Sequence, residues 1–196
     1  MQVIYIPGLG DDKVTQTLSA QRLAVTTWRF HGVTPHLFQM KWSDTESFEL
    51  KLDRLLKLID ELSLKDKVAL VCASAGATAA LNAFAERRDV VVGVVCIAGK
   101  INNPQAIGSG YKQRNPSFWE SAQQTNQSVS KLAASDRQRV LSIRAMFDEI
   151  VPAKDSIFEG AHNKRVGTSG HAITIITQLL FGAPAFLSFL KQVAKS

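Results

Sequence analysis

The sequence predicts an α/β fold: a three-layer α/β/α sandwich around a mostly parallel, roughly six-stranded sheet. Three observations carry this. Short apolar runs alternate with helical periodicity along the chain. Two of those runs, Lys67–Ala73 and Val90–Ala98, are apolar without alternation, as in strands covered on both faces. Finally, no repeat, low-complexity tract or Pro/Ser-rich linker divides the 196 residues, a length that suits one domain spanning 1–196.

In chain order, Val3–Ile6 is a first strand, ended by Pro7-Gly8. Val14, Leu18, Val25 and Trp28 then recur at helical spacing, and Leu37–Trp42 reads as the second strand. Ser43 with Glu46 is a capping-box pattern. It opens a helix with Phe48, Leu52, Leu55, Leu56, Ile59 and Leu62 on one face. The third strand, Lys67–Ala73, runs into an Ala-rich helix near residues 75–87, and Val90–Ala98 is the fourth strand. Val140–Phe147 is the fifth and Lys164–Gly167 the sixth. Ala172–Leu190 is the most membrane-like stretch, but Thr174, Thr177, Gln178, Gly182, Pro184 and Ser188 interrupt it. The expectation there is a buried helix, a break at Gly182-Ala183-Pro184 and a short terminal helix, with no membrane insertion.

Residues 99–139 break the rhythm. They are rich in Asn, Gln and Ser, with a second capping-box pattern at Ser117 and Glu120. A weaker helical stripe runs through Trp119, Ala122, Val129 and Leu132. The segment reads equally as a lid-like insertion over the carboxyl edge of the sheet or as a crossover helix with long loops. Its six basic residues, Lys100, Lys112, Arg114, Lys131, Arg137 and Arg139, against Glu120 and Asp136, leave it at +4. That is a solvated face or an attraction for anionic groups.

Composition narrows the class. With 45% hydrophobic and 20% charged residues the chain is neither disordered nor fibrous. Cys72 and Cys96 are too few for a disulfide scaffold and read as buried reduced thiols, which suits a cytoplasmic protein. Residues 1–10 carry no basic region and read as strand and turn rather than signal peptide. A net charge of +6 does not by itself call for nucleic acid. His31, His36 and His162 are scattered with no metal-ligand spacing, so no metal is expected.

The chemistry gathers at strand ends. Cys72-Ala73-Ser74-Ala75-Gly76 joins a buried strand directly to a helix. A serine on such a turn is pushed above the sheet, and its small neighbours let strand and helix pass closely. A serine N-cap is the plain alternative. Asp148 follows the fifth strand, and His171 follows the sixth, just before the last helix. Glu149 competes with Asp148, and Asp155 is a further candidate. Pro7-Gly8-Leu9-Gly10 follows the first strand, where the amides of Leu9 and, across the turn, Ala75 can face a substrate oxygen. Gly8-Leu9-Gly10 also begins a dinucleotide fingerprint. However, Lys13 stands where its third glycine belongs, and the nearest acid, Asp44, lies in a capping box, so no cofactor is expected.

With Ser74, Asp148 and His171 in that order, each at a strand's carboxyl end, the chain resembles the α/β-hydrolase superfamily over essentially its whole length. Cys72 stands where the commoner elbow has glycine. The resemblance implies strand order 2-1-3-4-5-6, without the N-terminal antiparallel strands of larger members. It implies a serine hydrolase acting on a carboxylic ester or thioester, with Ser74, Asp148 and His171 as triad and Leu9 and Ala75 as oxyanion donors. The contrasting expectation is an idle hydrolase fold that serves as a binding module. The partner expected is a small acyl substrate. Only residues 99–139 remain to wall the site, so short acyl chains are expected, with Phe118 and Trp119 as the apolar wall.

Overall fold

A computed structural model describes residues 1–12, 16–103 and 107–195. The first half runs β1 (Gln2–Ile6), α1 (Gln16–Thr26), a 3-10 turn (Thr27–His31), β2 (Thr34–Leu37), α2 (Phe48–Ser63), β3 (Val68–Ala73), α3 (Gly76–Glu86) and β4 (Val91–Ile97). The second runs α4 (Ser109–Arg114), α5 (Pro116–Ser130), α6 (Ala134–Arg137), β5 (Val140–Arg144), α7 (Ala153–Ser156), β6 (His162–Arg165), α8 (His171–Thr177) and α9 (Ala183–Val193). The strands form one six-stranded sheet of order β2-β1-β3-β4-β5-β6, parallel throughout.

Alternate strand residues feed two cores, because side chains leave a strand on opposite faces. Ile4, Ile6, Leu70, Cys72 and Cys96 join Phe48, Leu55 and Ile59 of α2 and the alanines of α3. Tyr5, Val71, Val95 and Ile97 join Trp28, Phe186 and Leu190 on the other side. The unalternated runs of β3 and β4 are explained by these two covers.

Several elements differ from the sequence expectation. The second strand is Thr34–Leu37, not Leu37–Trp42. After Leu37, Phe38 N–H still reaches β1 at Tyr5 O (2.9 Å), and Lys41 then turns the chain at φ 52°. Met40 and Trp42 are buried as loop residues, so their apolarity reports tertiary packing and not a strand. Helix α2 is capped by Ser47, whose Oγ accepts from Leu50 N, and not by Ser43. Ser43 instead bonds Asp12, and Glu46 pairs with Arg54. Glu120, expected to box its own helix, accepts from Phe48 N–H at 2.8 Å and so caps α2 from α5. Strand β5 ends at Arg144, earlier than expected, although Phe147 still bridges Ser169. The sixth strand lies two residues earlier than Lys164–Gly167. Val14 lies outside the described residues.

Helix α5 packs on α3 with a face of Ser117, Phe118, Ser121, Ala122, Thr125 and Ser128. The apolar stripe missed this because four of these six residues are polar. Asn82 Nδ2 donates to Thr78 O, Ser121 O and Thr125 Oγ1 at 2.9–3.2 Å, and Ser128 Oγ donates to Asn82 Oδ1 at 2.6 Å. Small side chains with satisfied hydrogen bonds let the two helices approach closely.

The C-terminal run has no break at Gly182-Ala183-Pro184. A π-turn, Gln178–Gly182, joins α8 to α9, and Pro184 sits in the first turn of α9. A wider turn just before a proline accommodates its missing N–H. The run His171–Val193 is long and apolar enough to cross a membrane, with mean hydropathy 1.8. Here its Leu179, Phe186, Leu187 and Leu190 are buried in the second core.

Candidate active site

In this sheet the chain leaves β1 toward one edge and β3 toward the other. The carboxyl ends of β1 and β3 therefore flank a crevice, the place where parallel sheets hold ligands. Leu9 follows β1 and Ser74 follows β3.

Ser74 adopts φ 52°, a left-handed conformation that costs a non-glycine residue. Backbone bonds hold it there: Ser74 N–H donates to Ile97 O (3.0 Å), and Ser74 O accepts from Ala77 and Lys100 N–H (both 3.1 Å). The turn needs its small residues. A Cβ on Gly76 would stand 2.3 Å from Ile6 O, and one on Gly8 would stand 2.7 Å from Ser74 Cβ. Cys72 is tolerated at the elbow because it points into the core, with its Sγ 3.4 Å from Cys96 Sγ. Burial pushes the Cys72 thiol well up, which keeps it protonated.

Asp148 and His171 meet because two loops are tied together. Met146 N–H donates to Thr168 O and Gly170 N–H to Phe147 O, both at 2.9 Å. Gly170, at φ 99°, then turns the chain into α8, whose first residue is His171. His171 Nδ1 lies 2.8 Å from Asp148 Oδ2, with the two side chains 11% and 6% exposed. Asp148 Oδ1 accepts from Ile150 and Val151 N–H at 2.9 and 2.8 Å. The acceptor-only carboxylate places the proton on Nδ1, which leaves Nε2 of the neutral ring as an acceptor. Glu149, the rival acid, takes the backbone N–H of His171 and so caps α8. Asp155 is paired with Lys100 at 2.5 Å.

Two lobes meet at Ser74. One, of about 380 Å³, is lined by Leu9, Leu18, Ile150, Ile175 and His171, with Asp11 and Gln21 as polar members. The other, of about 220 Å³, is lined by Leu9, Ala75, Ile107, Tyr111, Phe118, Val151, Lys100 and Asp155. Of the two aromatic residues expected in the wall, Phe118 lines the smaller lobe. Trp119 lines neither lobe: its ring packs on the core beneath Lys112 Nζ, 4.7 Å from the centroid. The Leu9 and Ala75 amides have no backbone partner among the described residues.

Sequence reasoning passed over Asp11 and read Lys100 only as one charge of a basic segment. Asp11 is buried and accepts from Lys41 and Trp42 N–H, yet burial outweighs those bonds and raises its carboxyl to about 6. Lys100 follows β4 at the same sheet edge that marked Asp148, so strand-end position was a usable signal. Several basic residues of 99–139 have partners within the molecule: Arg139 pairs with Asp136, Lys131 with Glu86 at the surface, and Arg137 bonds backbone carbonyls. Among the described residues no cluster of metal-ligating side chains occurs.

No protein-family model and no curated protein matches the sequence. Solved structures do match. Est1E from Butyrivibrio proteoclasticus superposes with a TM-score of 0.71 at 14% identity, over 100% of this chain and 88% of its own. The ydeN gene product of B. subtilis gives 0.62 at 16% identity, over 100% and 99%. A monoacylglycerol lipase from Paleococcus ferrophilus gives 0.61 at 12%, over 99% and 94%.

Proposed function

Because the chain has the α/β-hydrolase fold, we propose that it is a serine hydrolase that cleaves a carboxylic ester or thioester. The observation that carries this reading is the Asp148–His171 pair beside a strained Ser74, with serine and histidine lining one cavity.

Ser74 Oγ attacks the acyl carbonyl carbon as its proton passes to His171 Nε2. Asp148 holds Nδ1–H and stabilises the imidazolium. The Leu9 and Ala75 amides take the developing oxyanion, the latter at the start of α3, where negative charge is favoured. Collapse expels the alcohol or thiol, which receives the proton from Nε2. Water then repeats the cycle on the acyl-serine. Solved neighbours support the hydrolytic class: one is a monoacylglycerol lipase, and Est1E binds ferulic acid.

The test is labelling of the folded protein with a fluorophosphonate, followed by peptide mass spectrometry. Modification at Ser74, with esterase activity lost in step, is the expected result. Labelling at another serine, or no labelling of folded protein, overturns the reading.

A further inference from the structure

The rim of the site, at the carboxyl ends of β5 and β6, carries large apolar side chains turned to solvent. Met146 and Phe147, just beyond β5, are 60% and 63% exposed, and Ile150 is exposed after them. The loop after β6 is tied to these residues, since Met146 N–H donates to Thr168 O and Gly170 N–H to Phe147 O. That loop leads directly to Ile173, 61% exposed on the first turn of α8. Single exposed apolar residues are ordinary, but these come from two joined loops and the helix that follows.

The patch continues along the helical run. No Asp, Glu, Lys or Arg lies between His171 and Leu190. One side of the run packs into the second core through Ile175, Leu179, Phe186 and Leu190. The outward side of a surface helix is ordinarily charged. Here it presents Ile173 and, in the π-turn, Phe181, which is 79% exposed.

Charge decides what covers this face. Arg144 and Arg165 are register partners at the ends of β5 and β6, so both side chains leave the same face of the sheet. Neither guanidinium has an ion pair or hydrogen bond among the described residues. The exposed carboxylate nearby, Glu149, is turned onto His171 N–H, and no Asp or Glu follows Glu159 in the chain. Two copies related by a two-fold axis through this face would crowd unpaired guanidinium groups together. An anionic lipid surface instead offers an apolar layer to the exposed side chains and negative headgroups to the arginines.

We propose that this face docks on an anionic lipid surface, with Phe147, Ile173 and Phe181 entering the headgroup layer and Arg144 and Arg165 facing its negative charge. The inward sides of α8 and α9 stay in the core, so the run lies on the membrane and does not cross it. Ile150 belongs both to this face and to the lining of both lobes, so docking sets the mouth of the cavity against the lipid layer.

Liposome flotation of the intact chain tests this without turnover, so its outcome is independent of the serine-hydrolase reading. One set of vesicles is phosphatidylcholine alone, and the other is phosphatidylcholine and phosphatidylglycerol in equal parts. Binding to the anionic vesicles should be about tenfold or more tighter than to the neutral ones. Phe147→Ser/Ile173→Ser should weaken it roughly tenfold. Arg144→Gln/Arg165→Gln should remove the preference for anionic lipid. A circular-dichroism melt checks each fold, and Phe181→Ser, one change at an exposed side chain, should by itself weaken binding about fivefold. No flotation with either vesicle, equal flotation with both, or flotation unchanged in the folded variants overturns the proposal. Analytical ultracentrifugation addresses the rival occupant: a dimer that Phe147→Ser/Ile173→Ser disperses, without vesicle binding, gives the face to a second copy and overturns it too.

Discussion

Asp148 and Glu149 both reach the first residue of α8, but one meets the imidazole and the other the backbone amide. Asp148→Asn should therefore keep the fold and lower kcat by roughly 10⁴-fold, by admitting the wrong imidazole tautomer. Glu149→Gln removes a charge from a helix N-terminus. It should cost about 0.5–1 kcal/mol of stability and change kcat less than about tenfold, as read by urea unfolding and steady-state kinetics. Comparable kcat losses in both would show that the acid has been misassigned. Ser74 offers a second comparison at this scale. Ser74→Ala and Ser74→Gly should both lose on the order of 10³-fold or more in kcat. Only glycine relieves the φ of 52°, so Ser74→Gly should be about 1 kcal/mol more stable than Ser74→Ala. Equal stabilities would mean that the elbow stores no backbone strain.

At the scale of elements, the elbow depends on α3 starting almost on top of β1. A methyl on Gly76 meets backbone oxygens of Ile6 and Pro7, which cannot swing aside as a side chain would. Gly76→Ala should destabilise by about 2 kcal/mol or more and remove activity through a displaced Ser74. A fully active, fully stable Gly76→Ala protein would contradict the close approach. Helix α2 is likewise finished by a neighbour, since Glu120 of α5 takes Phe48 N–H. Glu120→Ala should cost about 1 kcal/mol in chemical unfolding, the usual price of a lost cap. A null effect would leave the Phe48 amide to solvent at no penalty.

For the whole molecule, the clearest pH signature comes from Asp11. Its carboxyl is raised from an ordinary 3.8 to about 6 in the folded protein, chiefly by burial. The fold therefore favours the protonated acid. Its contribution to stability is complete below about pH 4 and is lost as pH rises through about 6. Relative to Asp11→Asn, wild type should lose up to about 3 kcal/mol between pH 4 and 7, measured as paired urea midpoints across that range. A difference that stays flat with pH would show that the bonds from Lys41 and Trp42 fully offset the burial of the charge.

Some of this protein was fixed by sequence alone. Apolar runs and periodicity are local, so they marked β1, β3, β4 and β5 and the buried face of α2, whereas the second strand was read from the buried loop residues after Leu37 and the exposed sixth strand two residues late. Strand-to-helix turns are local too, which made Ser74, Asp148 and His171 legible as residues at one edge of the sheet. What local pattern could not carry was the choice of partner. Ser43 with Glu46 matched a capping box, but Asp12 holds Ser43 and Arg54 holds Glu46, so α2 starts at Ser47, with Glu120 of another helix on the Phe48 amide. Asp148 and Glu149 both follow β5, and the turn at Gly170 decided which one meets the imidazole. Phe118 and Trp119 are adjacent on α5, but a helix turns about 100° per residue, so only one of them could face the cleft. Lys100 and Asp155 lie 55 residues apart, and their pairing exists only because β4 and β5 are neighbours in the sheet.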